Sequence, residues 1–135
     1  MSFHTAVQQA IREVRASREP DSAEVHAALQ LAVRAWQLGD QPGTVRIHWD
    51  LFGTSVHAAV EKLATAAVPV VVQLDEDHLP DSDAVRRDAV ALTAAVADRL
   101  DLGAGDPAAD ADQRWAWSTA AARLRLAADD LVSWA

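Results

Sequence analysis

Two histidines and two acids lie close together in the middle of the chain: His48, Asp50, His57 and Glu61. On a strand, positions 48 and 50 share one face. On a helix, positions 57 and 61 share one. Imidazole and carboxylate together can hold zinc or iron, or run general acid–base chemistry. The spacing matches neither HExxH nor the paired Glu-x-x-His units of di-iron bundles. An exposed strand face followed by an exposed helix face explains the same residues, because polar side chains on a wetted surface need no site.

A second group is acidic. Asp75, Glu76, Asp77, Asp81 and Asp83 put five carboxylates in nine residues. Oxygen ligands suit calcium or magnesium, but the EF-hand spacing and its glycine are missing. A solvated loop whose last aspartates cap the next helix is the plainer reading. A dock for a basic protein surface suits the overall charge.

The third group is aromatic. The chain has five tryptophans, no tyrosine and two phenylalanines. Trp36, Trp49 and Trp117 fall on the apolar faces of the expected elements, where core packing explains them. Trp115 and Leu126 do not. With Thr119 and Ala122 they form a second stripe on the last helix. A helix apolar on two sides is either sandwiched in a core or shared with another chain. Trp115, Ala122 and Leu126 are therefore candidate partner-binding residues.

Other signatures are absent. No GxGxxG or GxxxxGK[ST] loop cradles a phosphate, and no GxSxG elbow presents a serine. The chain has no cysteine, which excludes a thiol nucleophile, a disulfide scaffold and a cysteine zinc site. No cofactor is implied.

The elements that would carry these groups follow from periodicity. Residues 2–17 repeat apolar positions (Phe3, Val7, Ala10, Ile11, Val14) at helical spacing, and Pro20 ends the run. Asp21 and Glu24 have capping-box spacing ahead of a second helix striped by Val25, Leu29, Ala32, Val33 and Trp36. Gly39 is its expected left-handed terminator. Between 44 and 51 the period changes to two, with Val45, Ile47, Trp49 and Leu51 alternating with polar residues, which predicts a strand. Helical spacing returns from Phe52 to Ala67. Four valines in residues 68–72 then favour a second strand. Strand, helix and strand over 44–75 make a βαβ unit, parallel and right-handed. Asp81 and Ser82 open a long helix with an Asp83–Arg87 pair and Gly103 as terminator. A last helix begins near Gln113, three residues after Asp110.

The expected architecture is one α-rich domain over residues 1–135, of α+β class. It has five helices and a two-stranded βαβ unit; an all-α bundle is the competing arrangement. At 135 residues the chain can bury one sizeable core. No apolar run reaches membrane-spanning length and the N-terminus lacks a signal-peptide pattern, so a cytoplasmic protein is expected. Scarce lysine beside abundant alanine, arginine and aspartate suggests a GC-rich bacterial genome.

The net charge of −8 disfavours nucleic acid and anionic membranes as partners. The eleven arginines are scattered along the chain. The functional expectation is a non-catalytic protein–protein interaction or regulatory module. It would bind another protein, plausibly a basic one, and self-associate through the last helix. Two alternatives belong to other classes. One is a small metal-dependent or acid–base enzyme using His48, Asp50, His57 and Glu61. The other is a helical bundle with an apolar cavity near Trp36 or Trp117.

Overall fold

The computed structural model describes residues 2–20, 22–39, 46–63 and 81–132. These form five helices: α1 (Phe3–Ala16), α2 (Ala23–Gly39), α3 (Arg46–Lys62), α4 (Ser82–Ala104) and α5 (Ala111–Val132). No strand occurs among the described residues.

This overturns the α+β expectation. Arg46–Asp50 is the first turn of α3, so the first strand of the βαβ unit does not exist and the unit cannot form. Alternation over so few residues fits a helix as well, provided some of the apolar positions face outward. That is the case here. Trp49 is fully buried, while Ile47 and Leu51 are exposed. Trp49, Phe52, Val56, Ala59 and Leu63 make the buried stripe, at steps of three and four. Residues 44–45 and the valine-rich 68–74 lie outside the described residues.

The helix ends are capped by local chemistry. The Ser2 hydroxyl accepts the Thr5 N–H (3.2 Å) at the start of α1. At α2 the Ser22 hydroxyl accepts the Val25 N–H (3.3 Å), so serine holds the capping seat expected for Asp21, which lies outside the described residues. At α5 the Asp110 carboxylate accepts the Gln113 N–H (3.4 Å), one half of the expected box. Gly103 is not a terminator. It lies inside α4, and Gly105 follows as the cap.

Four helices form a ring in which α2, α3, α5 and α4 each touch their neighbours, and α1 packs on α2 and α4. Their directions follow from specific pairs. Gly39 meets Trp49 and Gly53 meets Trp36, so α2 and α3 are antiparallel. The His48 ring reaches the Asp130 carbonyl (3.1 Å) and Lys62 sits over Trp115, so α3 and α5 are antiparallel. Arg114 Nε donates to the Ala104 carbonyl (2.9 Å) and Arg125 reaches back to Asp98, so α5 and α4 are antiparallel. Every neighbour in the ring therefore opposes the next. The fifth helix, α1, runs parallel to α4: His4 meets Asp88 near both starts, and Pro20 packs on Gly103 near both ends.

One core fills the ring. Its largest fully buried side chains are Trp49, Phe52, Leu29, Leu92, Leu100, Leu124 and Leu131. Trp49 and Phe52 meet edge to face at 5.5 Å. Trp36 and Trp117 pack against this core while partly buried. The α2–α3 contact is set by two reciprocal tryptophan–glycine pairs. A Cβ on Gly39 would lie 2.2 Å from the Trp49 ring, and one on Gly53 would lie 2.2 Å from the Trp36 ring. Each glycine admits the other helix's indole, and no side chain fits in its place. For Gly39 this close approach replaces the expected left-handed cap as the reason for glycine.

Candidate functional site

The helical geometry of α3 separates the histidine–carboxylate group. Two residues along a helix turn through about 200°, so positions 48 and 50 diverge instead of sharing a face. The His48 Nδ1 donates to the Asp130 carbonyl of α5. Asp50 turns towards α2 and accepts the Trp36 indole N–H (3.4 Å). His57 also faces α2 and meets Trp36 edge to face at 5.5 Å. Glu61, one turn further on, is exposed. The two imidazoles are therefore committed to different neighbouring helices. Among the described residues, no three histidine, aspartate or glutamate side chains are grouped to hold a metal.

The acidic segment is only partly described. Asp75, Glu76 and Asp77 lie outside the described residues. Asp81 occupies the N-cap position of α4 without a side-chain capping bond. Asp83 pairs with Arg86 at 3.7 Å, one step short of the expected Arg87.

One polar pair had no signal in the sequence. The Asp88 carboxylate is 7% exposed on α4, and the His4 Nδ1 of α1 lies 2.9 and 3.0 Å from its two oxygens. The partners are 84 positions apart, so no local spacing could have joined them. The imidazole itself is largely exposed, and the contact satisfies a carboxylate that the α1–α4 packing would otherwise strand.

The most distinctive surface lies on α3 and α5. Trp115 is 63% exposed and Leu126 47%, and Ala122 between them is exposed as well. On the neighbouring helix Ile47 is 63% exposed and Leu51 46%. The pairs His48–Asp130 and Lys62–Trp115 fix the register of the two helices. In that register Leu51 is level with Leu126, Ile47 lies near the end of α5, and Trp115 lies at the opposite end. Half-buried Ala58 and Thr119 fall between these ends. The result is an apolar strip along one side of the bundle. It spans about fifteen residues of helix, or roughly 22 Å.

Charged side chains border the strip. Glu61 and Asp112 stand at the Trp115 end, and Asp129 and Asp130 at the Ile47 end. Two cations accompany them. The Lys62 ammonium lies 5.4 Å from the centre of the Trp115 ring, and Arg123 is exposed on α5. Arg125 is turned away to α4, where it binds Asp98 and Asp101; those carboxylates hold its guanidinium pKa above the ordinary value. No helix of the described residues is long and apolar enough to cross a membrane. No protein-family model, curated protein or solved structure matches the chain.

Proposed function

We propose that the protein is a non-catalytic interaction or regulatory module that binds another protein through the α3/α5 face. The observation that carries this reading is the unpaired apolar strip of Ile47, Leu51, Trp115 and Leu126, assembled from two helices in register. Single exposed apolar residues are ordinary, whereas a contiguous strip marks a contact surface. An exposed indole is also the side chain best suited to anchoring an interface, because it offers large area with little rotamer entropy to lose. The metal or acid–base alternative loses its support with the divergence of His48 and His57.

The test is affinity capture from the native host with three forms of the chain: wild type, L51D/L126D, and L102D. Leu102 is 71% exposed on α4, away from the strip, and serves as the control. All three should share one unfolding midpoint, since exposed substitutions stay within about 0.5 kcal/mol. A protein held by wild type and L102D, and lost by L51D/L126D, supports the reading. Identical capture by all three overturns it.

A further inference from the structure

We propose that α1 is a releasable helix. It undocks from α2 and α4 as one unit while the other four helices stay folded, and so exposes an apolar surface that the closed form hides. The α3/α5 face plays no part in this, since α1 touches neither of those helices.

Topology is the first argument. The ring of α2, α3, α5 and α4 closes without α1. Among the described helices, α1 contacts only α2 and α4, and it lies outside the ring. Its departure breaks no contact between ring helices.

The chemistry of its seat is the second argument. On α4, positions 88, 92, 95, 99 and 103 recur at steps of three and four and share one face. His4 bonds to Asp88 at one end of that face, and Pro20, just beyond α1, packs on Gly103 at the other. Asp88 is the one charged residue that is buried among the described residues. Burying a carboxylate costs hydration, and its partner is an imidazole 66% exposed, so the pair returns little of that cost. Arg99 stands between Asp88 and Gly103 on the same face, and its Nε is buried with no hydrogen bond. Both groups regain water when α1 leaves. The apolar gain from Phe3, Val7, Ile11 and Val14 is therefore opposed, at one interface, by two polar groups that favour release. Release frees the apolar face of α1 and uncovers the α4 face beneath it.

Native-state hydrogen exchange of the full chain, followed by NMR at low urea concentrations, tests the proposal. The amides of Val7, Ala10, Ile11 and Val14 should share one opening. It should be at least about ten-fold more frequent than the opening that exposes Phe52, Leu100 and Leu124, with a shallower urea dependence. Two variants assign the openings. Val56 is fully buried on α3, away from α1. Val56→Ala should speed ring exchange by about ten-fold and leave α1 exchange unchanged. His4→Ala removes the tie to Asp88 and should speed α1 exchange by about ten-fold.

Equal opening frequency and urea slope for α1 and ring amides overturn the proposal. So does a V56A protein in which both sets exchange faster alike. Protection that rises steadily from Val7 to Val14 means fraying from the end, not release as a unit, and overturns it as well. Unchanged α1 exchange in H4A removes the polar tie from the account and counts against it in the same way.

Discussion

Replacing Gly39 and Gly53 by alanine, one at a time, separates packing from helix propensity in the α2–α3 contact. Each new Cβ would lie 2.2 Å from an indole, where ordinary contact begins at 3.4 Å. Each ring must therefore move. At Gly39 the obstacle is Trp49, which is fully buried and packed on Phe52, so the ring has nowhere to go. Overpacking of this kind costs about 1–3 kcal/mol, and the upper end applies. At Gly53 the obstacle is Trp36, which is only partly buried and can swing outward at the loss of its bond to Asp50. The cost there falls near the lower end, and about 1 kcal/mol of helix propensity is recovered inside α3.

G39A should therefore be the more damaging change, by about 2–3 kcal/mol. For a chain of this length that corresponds to roughly 7–11 °C in Tm. Urea unfolding followed by far-ultraviolet circular dichroism reads both variants, provided the slopes match. A G39A protein as stable as G53A would refute the claim that the indole contacts, and not backbone preference, place the glycines.

Three further outcomes follow from the same packing. His4→Ala should destabilise by about 1–3 kcal/mol, because it leaves the buried Asp88 carboxylate without its partner; in a denaturant double-mutant cycle, H4A/D88A should cost less than the two single changes together. Trp49→Ala should cost about 3–5 kcal/mol by opening a cavity between α2, α3 and the core, seen as a lower unfolding midpoint and lost near-ultraviolet ellipticity. Arg125→Ala should cost under about 1 kcal/mol, and less at high salt, because its two carboxylate partners are exposed. Arg125 has a raised pKa in the fold, so its contribution is complete below the unfolded value and is lost only as pH rises through the folded one. Both lie far above neutrality, so the R125A effect should be the same at pH 6 and pH 9.

Much of the helical framework is legible in the residue spacing, and the exceptions have physical causes. The steps from Phe3 to Val14 return as the buried face of α1, and on α2 Val25, Leu29 and Ala32 are buried while Val33 and Trp36 pack partly buried against the core, because one-sided helices advertise their core positions. The outer stripe on α5 was equally visible. Trp115, Ala122 and Leu126 lie along about three turns of α5, and all three are exposed. Residues 46–51 misled because their apolar positions serve two purposes. Trp49 enters the core while Ile47 and Leu51 stay outside, and the mixture imitates strand alternation. That error also created the apparent histidine–aspartate face, since 48 and 50 align only on a strand. Tertiary partners were out of reach. Neither His4–Asp88 nor the level of Leu51 with Leu126 can be seen before α1, α3, α4 and α5 are packed.

Position 126 offers the most direct measurement on the central claim. A photoreactive amino acid placed there, with another at position 102 as control, reports in the native host which surface is covered. Covalent capture at 126 of a distinct protein, with nothing comparable at 102, is the expected result. Indifference between the two positions, or crosslinking at 126 only to another copy of the chain, would contradict the account.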